Sequence, residues 1–380
     1  ASCGGKATPA PAPAPTPAPT PRVVIPTLGP TPTPVIVGTP TPAPAARTPT
    51  PAAAPTPVAA PTPPAKPAKV YKLKFSHFGA PEPGPRWQVG LKFAELVEKN
   101  TNGAVLIEVF PAGQLVKVAE TMTALSKGAL DGSFHPDPYI IGMVPFAQWG
   151  TLPGMATPAT VYDIYRETGI LEKMQTYLNK NNMVSVGFYT PGSVDIFVHR
   201  KKFFDSPGDL KGQLMRSLGG TWDQIMQELG TGLVTMPSAE VYTALQRGTV
   251  DGAISALAAA YGAKWQEVAP YWTYIPAIGG PYSVHYLITL GKWNELTPDL
   301  QQAMLKSAQE AEAYAIKART EWDAQLVQLA EKEGAKIRIP DQEKWRATVQ
   351  PLAEKYFVAV GQENMDVWDS VIAWHKRTGK

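Results

Sequence analysis

Two neighbouring stretches decide the fold of this chain: Phe204-Asp-Ser-Pro-Gly-Asp-Leu-Lys-Gly-Gln-Leu-Met-Arg216 and Thr235-Met-Pro-Ser-Ala-Glu-Val-Tyr-Thr-Ala-Leu-Gln-Arg-Gly-Thr-Val-Asp-Gly252. The first predicts a turn at Ser-Pro-Gly-Asp and then a short strand that ends at Arg216. The second predicts a helix that Gly248 terminates, followed by a strand near Ile254. Strands and helices in this alternation indicate an α/β layer in which helices cover a mainly parallel sheet.

The segment before these stretches shows the same alternation. Its patterns follow the order β-α-β-α-β, and Ala-Leu-Asp-Gly at 129–132 echoes Thr-Val-Asp-Gly at 249–252. Further strands are predicted at 183–189 and 195–200, and long amphipathic helices at 298–333 and 342–375. In this first segment the predicted strands are 71–76, 104–110 and 129–134, and the predicted helices are 87–100 and 119–127.

These patterns predict an α/β protein with two lobes, built from mixed sheets flanked by helices. Residues 69–190 form lobe one in this prediction. Residues 191–285 form lobe two together with the crossover strands, and 286–380 supply long helices that pack across both lobes.

Residues 1–68 have a different composition from the rest of the chain. They hold 22 of the 40 prolines and neither an aromatic nor an acidic residue, so they cannot bury a core and are predicted to be a disordered tether. The only cysteine, Cys3, follows Ala1-Ser2 and precedes Gly4-Gly5, as in a bacterial lipobox that lacks most of its signal peptide. We therefore expect a lipidated Cys3 that anchors an extracytoplasmic protein to a membrane. A plain spacer without an anchor is the alternative.

Charge and motifs argue against other classes of protein. Five of the 35 basic residues lie within residues 1–69, which leaves 30 against 32 acidic residues in the remainder. A near-neutral body without basic clusters does not predict nucleic-acid binding. The chain also lacks a Gly-x-Ser-x-Gly elbow, a His-Glu-x-x-His motif and a phosphate-binding loop, so we do not expect an enzyme.

The two opening stretches resemble the signature of the DctP-type solute-binding proteins of TRAP transporters. The resemblance extends in order through Asn102-Gly103, Pro111-Ala-Gly-Gln-Leu115, Gly128-Ala-Leu-Asp131 and Leu296-Thr-Pro-Asp-Leu-Gln301, and so covers roughly residues 70–375. It implies a type II-like periplasmic-binding-protein fold, a ligand buried between two α/β lobes, and delivery of that ligand to a membrane permease driven by an ion gradient.

Arg216 is the first candidate for contact with the ligand. A guanidinium at the end of a strand beside a cleft can hold a carboxylate through two parallel hydrogen bonds; the alternative for any arginine is a structural ion pair. Ser255 takes the place where members for acidic sugars carry Asn and those for 2-oxo acids often carry Trp. Ile196 aligns with a second arginine of the acidic-sugar branch, and Leu218-Gly-Gly220 resembles the 2-oxo-acid branch. The resemblance thus implies a small organic acid, with 2-oxo acids as one candidate class.

Residues that follow the other strands are expected to complete the pocket. His77 and His135 have a structural, hydrogen-bonded role as their alternative, and aromatic residues at these spacings are also typical of a core. The further candidates for the pocket are Ser76, His77, Phe134, His135, Tyr189 and Ser238, with Trp149, Trp222 and Tyr282 as candidates for stacking on the ligand.

The expected partners are a small carboxylate, the TRAP-type permease and, through Cys3, a membrane. No cofactor is predicted, and no spacing in the sequence requires a metal ion. A sensor that reports its ligand to a receptor is the alternative function, because closure around a ligand serves both purposes.

Overall fold

A computed structural model describes residue 67 and residues 69–380. Cys3 and all of the predicted tether except Pro67 lie outside these residues. The ten strands of the described part are β1 (Tyr71–His77), β2 (Val105–Phe110), β3 (Gly132–Pro136), β4 (Met183–His199), β5 (Leu214–Ser217), β6 (Gly232–Thr235), β7 (Gly252–Ala256), β8 (Tyr271–Tyr274), β9 (Pro281–Thr289) and β10 (Lys336–Arg338).

The α-helices lie between and after these strands. The eleven that the structure describes are α1 (Pro85–Asn100), α2 (Thr121–Ser126), α3 (Val161–Glu167), α4 (Ile170–Lys180), α5 (Thr221–Glu228), α6 (Ser238–Arg247), α7 (Leu257–Gly262), α8 (Leu290–Glu295), α9 (Pro298–Lys332), α10 (Gln342–Val358) and α11 (Gln362–Thr378).

The strands form two mixed sheets that share β4. One sheet has the order β2-β1-β3-β9-β4, and the other continues from β4 through β7 and β5 to β6, with β8 on β4 and β10 on β8. The pairs β1–β2, β1–β3, β5–β6 and β5–β7 are parallel, whereas β4 runs antiparallel to β7, β8 and β9. The parallel strands were expected from the βαβ alternation, and the antiparallel strands make the sheets mixed.

Strand β4 connects the two lobes. Its first part pairs with β9 and its last part with β7 and β8, with register shifts between Tyr189 and Gly192 and between Val194 and Ile196. Such irregularities bend a strand and increase its twist. The segments 183–189 and 195–200, predicted as separate strands, both lie in this one bent strand. The proposed boundary between lobe one and lobe two at residue 190 falls inside it.

The long helix α9 packs on both lobes. It lies against α1 and β4 at one end and contributes Leu326 and Ala330 to the core of lobe two at the other. At 1.5 Å per residue a helix of this length extends about 50 Å. Midway, the buried Arg319 donates hydrogen bonds to Ser193 Oγ at 2.7 Å and to Thr190 Oγ1 at 3.3 Å, so α9 holds β4 where the strand passes between the lobes.

The C-terminal segment forms two helices instead of the single predicted one. Helix α10 ends at Val358, α11 begins at Gln362, and Gly361 lies in the break. Glycine costs about 1 kcal/mol in a helix interior, which favours a break at this position.

No helix among the described residues is both long and apolar enough to cross a membrane.

Candidate functional site

A cavity lies beside β4 and is lined by residues of both sheets. Its empty volume is about 390 Å³, a figure that includes space open to solvent. Segments of both lobes contribute to its lining. The lining residues are Phe78, Arg86, Pro136, Pro138, Tyr139, Val194, Arg216, Leu218, Ser238, Ser255, Ala256, Ala259 and Tyr282.

Arg216 lies in this cavity and forms no ion pair with an acidic residue of the described part of the chain. It is fully buried, and its Nε and Nη1 donate hydrogen bonds to the carbonyl oxygens of Met236 and Ile254, both at 3.0 Å. Its Nη2 is buried and has no hydrogen-bond partner among the described residues. Burial lowers the pKa of the guanidinium, while the nearby Tyr139 hydroxyl favours its charged form. A buried charge of this kind is costly until an anion pairs with it.

The second arginine in the cavity, Arg86, is already paired. Its Nε donates to Glu82 Oε1 at 2.8 Å and its Nη2 to Glu82 Oε2 at 2.6 Å, and both side chains are buried. Burial acts to lower the pKa of Arg86, but the Glu82 carboxylate outweighs this effect and raises the pKa above its usual value. The positive charge of Arg86 is therefore offset within the protein.

Two hydrogen bonds connect the lobes beside the cavity. The backbone N–H of Ser238, at the start of α6, donates to the Tyr139 hydroxyl at 3.0 Å. The Gln148 side-chain amide donates to Thr221 Oγ1 at 2.9 Å. Since one partner of each pair precedes β4 and the other follows it, these bonds hold the lobes together in the arrangement described.

Tyr282 supplies a second free polar group. It lies on β9 in the cavity lining, and its hydroxyl is buried without a hydrogen-bond partner in the part of the chain that the structure describes. Burial raises the pKa of this phenol, so the hydroxyl keeps its proton and can donate. Of the three residues predicted as stacking candidates, Tyr282 is the one that lines the cavity.

Three of the predicted pocket residues, Arg216, Ser238 and Ser255, line the cavity together. They come from β5, the start of α6 and β7, whose ends meet at one edge of the second sheet. This convergence is what parallel strands produce, because their carboxyl ends share an edge.

His77 and Tyr189 do not line the cavity but support its wall. His77 is fully buried, accepts a hydrogen bond from the Gly79 N–H at 2.9 Å and lies 3.1 Å from the Arg86 carbonyl oxygen. The Tyr189 hydroxyl donates to the same carbonyl at 2.7 Å. Burial and the charge of Arg86 lower the pKa of His77 to about 3, so His77 is neutral. Both residues hold Arg86 in position.

The remaining predicted residues lie in the core. Phe134 packs against Phe75, Phe93 and Tyr286 in lobe one, and Trp222 is buried in α5. His135 is buried with its pKa lowered to about 3 by burial and by His285. Two further predicted residues, Ser76 and Trp149, are likewise buried and absent from the cavity lining.

Sequence patterns did not single out Arg86, Glu82 or Tyr139. Glu82 lies in the Gly- and Pro-rich segment after β1, Arg86 is the second residue of α1, and Tyr139 follows β3 within Asp137-Pro-Tyr139. The position after a strand end, used to select His77 and His135, applied to them as well. The available signal was a pair of opposite charges four residues apart, Glu82 and Arg86, with no other charged residue between β1 and Arg86.

Comparison with known proteins gives a consistent result. The family model of DctP, described as bacterial extracellular solute-binding protein, family 7, matches residues 75–359, about three quarters of the chain. The chain is 26% identical over 248 residues to a solute-binding protein of Albidiferax ferrireducens, covering 64% of this chain and 72% of that protein. It is 25% identical over 306 residues to the C4-dicarboxylate-binding periplasmic protein DctP of Rhodobacter capsulatus, covering 77% and 88%.

A solved structure with the same fold is the TRAP periplasmic solute-binding protein of Desulfovibrio salexigens with bound orotic acid. It matches with a TM-score of 0.73 at 20% identity, over 81% of this chain and 99% of that one. At this identity the match shows the fold alone. The predicted α/β fold of mixed sheets flanked by helices is thereby confirmed.

Proposed function

This chain belongs to the DctP family of bacterial extracellular solute-binding proteins, and from that premise we propose that it captures a small organic carboxylate between its lobes and delivers it to a TRAP-type membrane permease. One observation carries the choice of ligand. The cavity contains a fully buried arginine, Arg216, whose Nη2 has no partner among the described residues. A carboxylate oxygen placed there would form a charge-assisted hydrogen bond and offset the desolvated charge.

Capture follows from the way the site is divided between the lobes. Arg216 and Ser255 belong to the second sheet, whereas Arg86 and Tyr139 belong to segments that precede β4. A ligand that touches both groups binds the closed arrangement better than an open one and shifts the population toward it. The bends in β4 around residues 189–196 are where we place the hinge.

The test is a calorimetric titration of the full chain with a panel of small mono- and dicarboxylates, 2-oxo acids and sugar acids. Each acid is matched with its primary amide, which has nearly the same shape and no charge. We expect binding of at least one carboxylate and at least a hundredfold weaker binding of its amide, since a buried, unpaired charge costs about 3 kcal/mol or more. Equal binding of acid and amide would refute the proposed role of Arg216.

Delivery is tested with the permease in membrane vesicles. Uptake of the ligand should require this protein and should saturate with its concentration. Binding without any uptake would favour the sensor function instead. Attachment through Cys3 stays a prediction from the sequence.

A further inference from the structure

One of the two arginines in the cavity lining is paired with an acidic residue and the other is not. This difference limits the number of carboxylates that the ligand can carry. Arg86 is held by Glu82 through two parallel hydrogen bonds, so the pair contributes no net charge. Arg216 belongs to none of the ion pairs that the described residues form. The lining therefore presents one uncompensated positive charge, although it contains two arginines.

Other ionisable groups near the site do not change this count. The Asp137 carboxylate is occupied by His285 at 2.8 Å and by the backbone N–H of Ser283 at 3.0 Å. His135 is neutral, because burial lowers its pKa to about 3. Asp223 acts on Arg216 from beyond ion-pair range, and its carboxylate accepts hydrogen bonds from the Ser217 hydroxyl, the Gly219 N–H and the Thr235 hydroxyl. None of these groups adds a free cation.

The rest of the wall is unsuited to a second carboxylate. Most of it is apolar, and its polar groups are hydroxyls, those of Tyr139, Ser238, Ser255 and Tyr282. Hydroxyls can serve a carbonyl or hydroxyl of the ligand, but a second carboxylate would lose its water without gaining a counter-charge. The apolar lining residues are Phe78, Pro136, Pro138, Val194, Leu218, Ala256 and Ala259.

Arg86 cannot leave Glu82 to pair with a second ligand carboxylate without a large cost in free energy. Glu82 is itself buried and lies directly against Gly262 at the end of α7, where any Cβ atom would overlap its carboxylate. If Arg86 turned to the ligand, Glu82 would be left as a buried, unpaired anion.

Resting on the proposed function, we infer that the ligand is a monocarboxylate with a mainly apolar body, and that the Glu82–Arg86 pair excludes dicarboxylates. Glu82 is thus a specificity-determining residue that acts through Arg86. This class differs from the C4-dicarboxylates named for the Rhodobacter capsulatus relative.

The experiment compares matched acids by calorimetry at pH 7.5 and constant ionic strength, using the full chain. The pairs are pentanoate with glutarate and 2-oxopentanoate with 2-oxoglutarate, together with the tightest ligand of the carboxylate panel and its analogue with one carboxylate more or fewer. In each pair of which at least one acid binds, we expect the monocarboxylate to have an affinity at least about 30-fold higher than the dicarboxylate, because the second carboxylate would have no counter-charge. In Glu82→Gln, which removes the counter-charge of Arg86, this ratio should fall at least about tenfold.

Glu343→Gln is the matched control, because Glu343 pairs with Arg346 on the surface and its loss should leave the ratio unchanged. Circular dichroism checks that Glu82→Gln folds; if it does not, the wild-type ratios alone decide. Equal or tighter binding of the dicarboxylates by the wild type would overturn the inference, as would an unchanged ratio in folded Glu82→Gln. If dicarboxylates bind tightly and Arg216→Met abolishes that binding, the proposed function survives and only this inference fails; if no carboxylate binds, both fail.

Discussion

Replacing Arg216 with Met separates the role of this residue in binding from its role in stability. Met has a similar length and no charge, so the substitution removes the buried guanidinium without leaving a large void. Two hydrogen bonds to the Met236 and Ile254 carbonyls are lost, at roughly 1.5–3 kcal/mol each for a charged donor. The several kcal/mol needed to desolvate the cation are recovered at the same time. These effects nearly cancel, so we expect the ligand-free protein to change in stability by less than about 2 kcal/mol.

Binding has no such compensation. The ligand carboxylate would enter a buried site that has lost its cation, at a cost of about 2–5 kcal/mol, or roughly 30- to 5,000-fold in Kd. Calorimetric titration measures the Kd, and urea denaturation without ligand measures the free energy of unfolding. Arg346→Met, on the exposed Glu343–Arg346 pair, is the control for loss of an arginine and should leave both values unchanged.

Two outcomes would refute this reasoning. A Kd within threefold of the wild-type value would show that Arg216 does not hold the carboxylate. A loss of more than about 4 kcal/mol in the stability of the ligand-free protein would show that the guanidinium mainly stabilises the fold.

Two further predictions concern other buried polar groups. Tyr282→Phe removes a hydroxyl without a partner among the described residues, so the stability of the protein should not fall. The affinity for a ligand with a carbonyl or hydroxyl beside its carboxylate should drop about three- to tenfold. An unchanged affinity for every such ligand would show that the Tyr282 hydroxyl does not contact the ligand. Burial raises the pKa of Asp195 from 3.8 to about 7, so between these pH values the native state binds more protons than the unfolded state. The free energy of unfolding should therefore decline from about pH 4 to pH 7, by up to roughly 4 kcal/mol. Asp195→Asn should remove this decline in urea denaturation at each pH; an identical decline in the variant would contradict the assignment.

Much of the fold was predictable because it depends on local patterns. The period-two pattern of 71–76 became β1, and the helical spacing of 87–100 became most of α1. The single strand β4 was not predicted, because the Pro-Gly pair within 191–192 reads locally as a break. Pairing with β9 and the contacts of Arg319 hold that segment extended instead. Such contacts join residues about 90 to 130 positions apart, beyond the reach of local propensity.

The candidate site shows a similar division. Arg216, Ser238 and Ser255 were found because a motif and the ends of parallel strands both point to them. His77 was selected by the same position after a strand, yet its ring is turned to the Gly79 N–H and the Arg86 carbonyl. The direction of a side chain at a strand end depends on its neighbours in space, and these are not visible in the sequence. Arg86 was missed because its burial becomes apparent only in the fold, although the opposite charge of Glu82 four residues earlier is visible in the sequence.

The central claim is that the buried guanidinium of Arg216 receives the carboxylate of the ligand. A crystal structure of the full chain with the tightest-binding acid of the panel tests it most directly. We expect a carboxylate oxygen at about 2.7–3.0 Å from Arg216 Nη2, the distance of a charge-assisted hydrogen bond. A ligand whose carboxylate points away from Arg216, or that binds outside this cavity, would contradict it.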